Sequence, residues 1–514
     1  MSAITEESAS TVVDVAICGG GPTGLATALL LKRLGVSVCV LDAKPASLEL
    51  GRADALNART QQYLEVADLL GELLPQGIKC NTSSTFGDGE FKSRQNDWWV
   101  GLEHTLHKNF LMLGQPVVER VLAEKLGDSV HYSEQVTSIA EDDAGVDVVT
   151  STGRKIRSKY ALGADGARSM VRAAIGATFS GGKPEMLWSV LDTFIETDFP
   201  RCPEIITFQL NGQSRVSWIP RERGLCRFYV LLDGEVSLER AQQSIKDHMA
   251  PHKVEFTKTE WYSTFDVKER IASTFISKDG AGRIFLGGDA AHVHSVNGGQ
   301  GLNTGIADSF NLAWRLAMVV NQPNLPKEAV QRLLLSYDTE RRSTAQGVID
   351  VAARLVRDTV REAKTYVGTI EKNAGYITGM GVSYEAYGSP LVEQSEHGIW
   401  KAGFRCPDMV IKPLLRSGGE EEEKRLYSEA SYGKYLLLSI GKAQAAKESE
   451  LPVTRYSILP AGASSDATAT NTFTGDWVTA DDVFHVVVRP DMYIAFVSES
   501  LDACESHLNK VFNA

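Results

Sequence analysis

Glycines at 19, 21 and 24 and a carboxylate at 42 are the first residues of this 514-residue chain whose spacing can do chemistry. In the run Cys18-Gly19-Gly20-Gly21-Pro22-Thr23-Gly24, Gly19 allows a tight turn and Gly21 lets backbone N–H groups approach a pyrophosphate. Gly24 lets the helix that follows Pro22 and Thr23 pack closely on a strand, and the N-terminal dipole of that helix favours negative charge. Asp42, followed by Ala43, is placed to accept hydrogen bonds from ribose hydroxyls. The chemistry is binding of the ADP half of a dinucleotide.

The elements that must position these residues are legible around them. Apolar residues 12–17 read as a buried strand, 25–34 as an apolar helix stopped by Gly35, and 36–41 as a second strand ending on Asp42. Two later strands also end in loops of polar and small residues. One precedes Ala164-Asp165-Gly166-Ala167-Arg168-Ser169, and the other Gly287-Gly288-Asp289-Ala290-Ala291-His292. The latter continues through Asn297-Gly298-Gly299-Gln300-Gly301-Leu302-Asn303 into a helix over 302–320. A glycine-rich loop feeding a helix offers free N–H donors. In a flavin site they would face the pyrimidine edge, with Asp289 accepting from ribityl hydroxyls.

Bulk properties narrow the class. The length predicts two or three domains. A net charge of −12 without a Lys/Arg run argues against a nucleic-acid partner. No 18-residue apolar stretch suggests a membrane span, and the polar N-terminus reads as a tail rather than a signal peptide. Seven scattered cysteines with no CxxC pair imply a reducing, cytoplasmic setting, with no disulfide framework and no zinc site. His292 and His294 have no partners at ligand spacing, so no metal is expected.

The three loops in this order resemble those of the class A FAD-dependent aromatic hydroxylases, the p-hydroxybenzoate hydroxylase fold, over roughly residues 11–345, including Tyr337-Asp338-Thr339-Glu340-Arg341-Arg342. Within that class the likeness runs to the phenol hydroxylases, through Pro220-Arg221-Glu222-Arg223-Gly224-Leu225-Cys226-Arg227-Phe228-Tyr229-Val230 and Ala53-Asp54. The resemblance implies FAD on Gly19, Gly21, Pro22, Thr23, Gly24, Asp42, Ala43, Arg52, Gln115, Asp165, Gly288, Asp289, Gly299, Gly301, Leu302 and Asn303, with Arg227 close to the flavin. NADPH or NADH is the implied reductant and O2 the co-substrate. Asp54, Arg221 and Tyr229 would surround a phenolic hydroxyl, and the ring would be hydroxylated ortho to it by a flavin C4a-hydroperoxide. Epoxidation, dearomatising hydroxylation or oxidative ring formation on the same fold is the alternative. Where the family carries a proline in the loop after His294, this chain has Val296.

The expected architecture is α/β: a Rossmann-type FAD-binding domain formed by 11–180 and 276–345, with a β-sheet substrate domain over 181–275 inserted in it. A helical segment and linker over 346–400 lead to a C-terminal unit over 401–514. The last resembles the thioredoxin-like domain of phenol hydroxylase but lacks its own CxxC, so it is structural or supports a homodimer. Its deletion is expected to disturb an oligomer and to spare cofactor binding. The Trp98-Trp99 pair reads as packing.

Overall fold

The computed structural model describes residues 10–97, 102–183, 186–200, 203–295, 299–359, 363–414, 422–443, 452–463 and 471–513. Trp98, Trp99 and Val296 lie outside them.

Strand β1 (Thr11–Cys18) leads through the glycine turn into helix α1 (Pro22–Arg33) and then strand β2 (Val38–Leu41). The two strands pair in parallel, and α1 buries Leu25, Leu29 and Leu30 beside them. Helix α2 (Ala58–Val66) follows, then a hairpin of β3 (Thr82–Gly87) and β4 (Glu90–Asp97) and helix α3 (Gln115–Leu126). Strand β5 (Lys155–Gly163) closes in parallel on the other side of β1.

The large inserted sheet comes next. It contains β6 (Leu187–Thr197), β7 (Ile205–Leu210), β8 (Gln213–Pro220), β9 (Cys226–Leu231) and, after helix α4 (Leu238–Met249), β10 (Val254–Asp266). Its order is β10-β6-β9-β8-β7-β3-β4. The hairpin from 82–97 therefore extends a sheet expected from 181–275 alone, because β3 pairs in parallel with β7 from Ser83–Ile205 to Gly87–Gln209. Alternation along the strands gives this sheet two unlike faces. Phe228, Val230 and Leu191 pack with Ala241, Ile245 and Met249 of α4. Arg227, Tyr229 and Leu231 point the other way, opposite Asp192, Val190 and Trp188 of β6.

Strand β11 (Ile284–Leu286) returns the chain to β5. It precedes the long helices α5 (Gln300–Asn321) and α6 (Lys327–Thr359). The C-terminal unit is a further sheet that includes β12 (Val410–Pro413), β13 (Tyr435–Ile440), β14 (Val453–Pro460), β15 (Thr472–Gly475), β16 (Phe484–Val488) and β17 (Ile494–Ser498), with helix α7 (Leu501–Phe512) against it. One apolar core runs through this unit and the nucleotide domain alike. A buried ion cluster crosses the same boundary. Arg489, after β16, donates to both oxygens of Glu340 on α6 at 2.6 and 2.8 Å, and Arg315 of α5 donates to Glu340 at 2.8 Å. Among the described residues no helix is long and apolar enough to cross a membrane, and no group of three or more His, Cys, Asp or Glu is arranged to hold a metal.

Candidate active site

The nucleotide end is built by close approach. Gly19 sits at φ +118°, and a Cβ there would lie 2.2 Å from the Ala164 carbonyl oxygen. A Cβ on Gly24 would lie 1.9 Å from the Gly19 oxygen, so α1 reaches the turn only because residue 24 has no side chain. Around Gly21 the protein leaves open space. Asp42 accepts from the Gly20 N–H through one oxygen and from Lys44 N–H at 2.7 Å through the other. Each oxygen keeps a lone pair for a further donor. Ala43 beside it is exposed. The first turns of α1 and α5 have neither a side-chain cap nor an acid, so their orphan N–H groups and dipole ends await an external anion or acceptor.

The second glycine loop closes on the first. The Thr23 carbonyl accepts from Ser309 of α5 at 2.8 Å. Gly288 comes so near Thr23 that a Cβ would stand 2.5 Å from its hydroxyl. Asp289 makes none of the loop's internal bonds among the described residues and is exposed to solvent. Gly299 caps α5 in the left-handed conformation, and Gly301 and Leu302 occupy the first turn. The Asn303 side chain is occupied by backbone partners: it donates to Ala55 and Gly299 carbonyls at 2.9 and 2.7 Å and accepts from Asn57 N–H at 2.9 Å. Asp165 is likewise occupied, accepting from Ser169 Oγ and from the N–H groups of Met170 and Val171, so it caps a short helix.

Asp54 lies at the other end, on a loop clamped to α3: Gln115 N–H donates to the Ala53 carbonyl and Leu113 N–H to the Asp54 carbonyl, at 2.8 and 2.9 Å. The Gln115 side chain accepts from Ala53 N–H at 3.3 Å. Arg52 on the same loop is exposed at φ +65°. The Asp54 carboxylate is 3% exposed. Tyr229 donates its hydroxyl to it at 3.4 Å, and Arg227 stands 3.5 Å away. Burial, and then the Asp54 charge, push the Tyr229 phenol well above its ordinary pKa, so it remains a proton donor.

Arg227 is wholly buried and makes a fork with Asp192, at 2.6 Å from Nε and 2.6 Å from one terminal nitrogen. The other terminal nitrogen donates to the Arg52 carbonyl, and the Trp261 ring lies 5.3 Å from the guanidinium. Its donors are thus directed to protein groups. The structure joins Asp54, Tyr229 and Arg227 directly. It does not bring Arg221 to Asp54. Arg221 forks onto its neighbour Glu222 at 2.9 and 2.8 Å and reaches Asp192 at 3.6 Å. Two buried carboxylates that hold these loops and strands together escaped sequence reasoning. Asp192 is a lone acid in the apolar run Leu187-Trp188-Ser189-Val190-Leu191-Asp192. Asp308 of α5 accepts from Gly288 N–H, His292 and Arg341 at 2.9, 2.8 and 2.7 Å. Burial alone would raise the Asp308 pKa, but His292 and Arg341 hold it down.

Residues 12–352 match the protein family described as FAD binding domain. A phenol 2-monooxygenase of Aspergillus fumigatus is 30% identical over 73% of this chain and 66% of its own length. A 3-hydroxybenzoate 4-monooxygenase of Comamonas testosteroni is 29% identical over 77% of this chain and 69% of its own. The chain thus spans about two thirds of the length of these relatives. The ternary complex of aklavinone-11 hydroxylase with FAD and aklavinone shares the fold, with a TM-score of 0.78 at 23% identity over 98% of this chain and 100% of that one.

Proposed function

Because this chain belongs to the FAD binding domain family, we propose that it is an FAD- and NAD(P)H-dependent monooxygenase that hydroxylates a phenolic ring ortho to its hydroxyl. The observation that carries this reading is the approach of the Tyr229 hydroxyl to 3.4 Å from buried Asp54, with Arg227 beside them. The nucleotide residues fit the cofactor: uncapped helix ends at α1 and α5, the open space at Gly21 and the exposed Asp289 suit an anionic, polyhydroxylated ligand. Gly21, Thr23, Asp42, Asp289, Gly301 and Leu302 would hold it. Bound FAD would supply reduction of O2 and delivery of an electrophilic oxygen, with NADPH or NADH as reductant.

The remaining work falls to the protein. An electrophile attacks a phenolate faster than a phenol, so the chain must accept the hydroxyl proton and hold the anion. Asp54 takes the proton directly, or through Tyr229, whose hydroxyl already points at it. Arg227 supplies positive charge without moving, because Asp192 fixes its plane from the neighbouring strand. Trp188, Leu231 and Val267 pack with Tyr229 as an apolar wall that keeps water out. The C-terminal unit is proposed to be a thioredoxin-like structural module, and the enzyme a homodimer.

The fork of Arg221 onto Glu222 leaves one cation rather than two at Asp54. That favours, as a second reading, a monooxygenase of this fold performing epoxidation, dearomatising hydroxylation or oxidative ring formation. A panel of phenols tests the first reading through NADPH consumption and incorporation of labelled oxygen from O2. Failure of every phenol to stimulate NADPH oxidation refutes it, and product structure separates the two.

A further inference from the structure

Arg59 on α2 plays no part in the site above, yet it is 2% exposed. Its guanidinium lies between the rings of Tyr63 and Tyr493, 4.5 and 4.8 Å from their centroids. One terminal nitrogen donates to Gln62 Oε1 and the Tyr427 hydroxyl at 2.8 and 2.9 Å; the other donates to the Asp491 and Met492 carbonyls at 3.1 and 3.3 Å. None of these acceptors is a carboxylate. Its Nε has no hydrogen-bond partner among the described residues.

The charges around it do not balance. Arg341 pairs with Asp308, while Arg315 and Arg489 share Glu340 and Asp491. All six are 2% exposed or less. With Arg59 the network holds four guanidinium groups and three carboxylates, and His292 on Asp308 can only add positive charge. Burying an unmatched ion is strongly unfavourable unless something compensates it. The two tyrosine faces offset part of that cost.

A small cavity touches this unmatched charge. Arg59, Tyr63, Gln300, Thr304, Arg341 and Tyr493 are among its lining residues, and its volume of about 30 Å³ suits one water-sized particle. Gln300, 4% exposed, opens α5, and its Nε2 has no hydrogen-bond partner among the described residues. Thr304 donates its hydroxyl to the Gln300 carbonyl, and the buried lining atoms left without a hydrogen-bond partner among the described residues are two donors, Arg59 Nε and Gln300 Nε2.

We propose that this cavity is a structural anion site that takes chloride, or another small monovalent anion, as the counter-ion of Arg59. A water could accept from both donors but would leave the charge unmatched. The full-length holoenzyme, melted at constant ionic strength with chloride exchanged stepwise for gluconate, which is too large to enter, should lose about 2 °C or more of Tm in a saturable manner. In Gln300→Leu this chloride dependence should vanish, and in Arg59→Met, if it folds, it should vanish too. Holoenzyme crystals grown in bromide should show an anomalous peak between Arg59 and Gln300. A Tm indifferent to chloride, or a cavity without a bromide peak, would overturn the proposal and assign the space to water.

Discussion

Asp192 on β6 and Arg227 on β9 are cross-strand neighbours, and their side chains close a two-point fork with both N···O separations at 2.6 Å. The fork ties the cation that faces Asp54 to the sheet, while its remaining terminal nitrogen reaches the loop carrying Asp54 through the Arg52 carbonyl. Replacing Asp192 by Asn leaves a buried guanidinium half-paired, at a cost of about 3 kcal/mol. The expected result is a lower Tm together with reduced coupling of NADPH oxidation to product, read by calorimetry and by peroxide assay. An unchanged Tm would show that the fork is not stabilising.

Asp54→Asn should retain bound, yellow FAD and lose most hydroxylation, by about 10²–10⁴-fold, because the proton acceptor is gone. Tyr229→Phe removes only a 3.4 Å hydrogen bond, so its loss should be smaller, about 10-fold. Single-turnover hydroxylation alongside the 450 nm absorbance separates chemistry from binding. Unchanged turnover and coupling in Asp54→Asn would remove that residue from the mechanism.

Gly21 and Gly24 make opposite demands. A Cβ at residue 24 collides with the Gly19 oxygen at 1.9 Å, whereas one at residue 21 meets no protein atom within 4 Å. Gly24→Ala should therefore destabilise the apoprotein. Gly21→Ala should leave apoprotein Tm unchanged and weaken FAD binding, since only a ligand fills that space. Titration of apoprotein with FAD, followed by fluorescence quenching, checks both.

Acid should attack the C-terminal boundary. Burial alone would raise the Glu340 pKa, but Arg489 and Arg315 hold it below the usual carboxylate range. A depressed folded-state pKa contributes stability that is present above the ordinary value of 4.5 and fades as pH falls below it. Urea midpoints should thus drop steeply below about pH 4.5. Glu340→Gln should cost about 3–5 kcal/mol at neutral pH and show a shallower acid limb.

Truncation after residue 400 should abolish folding rather than spare cofactor binding. It strips Arg489 from Glu340 and removes Tyr493 from the face of Arg59. Soluble yield and FAD uptake of the truncated chain measure this directly, and a stable yellow fragment would contradict it.

The nucleotide turn was readable because its whole logic is local: strand, glycines, helix, strand and acid lie within residues 11–42. Asp54 and Tyr229 were found by likeness, and the fold brings them together across 175 positions. Asp192 was not found, since only strand register places it against Arg227. The hairpin at 82–97 joined the large inserted sheet unforeseen for the same reason: parallel pairing with β7 leaves no mark in the intervening sequence. The C-terminal unit read as an appendage because its anchor, Arg489, finds Glu340 149 residues away.

Arg227 also donates to the carbonyl of Arg52, which places one rigid planar group between the Asp54 carboxylate and the backbone of Arg52. Events at those two ends are then thermodynamically reciprocal. If an occupant at Asp54 tugs this guanidinium and alters the affinity of whatever rests on the loop at Arg52, the second ligand must alter the first one's affinity by the same factor.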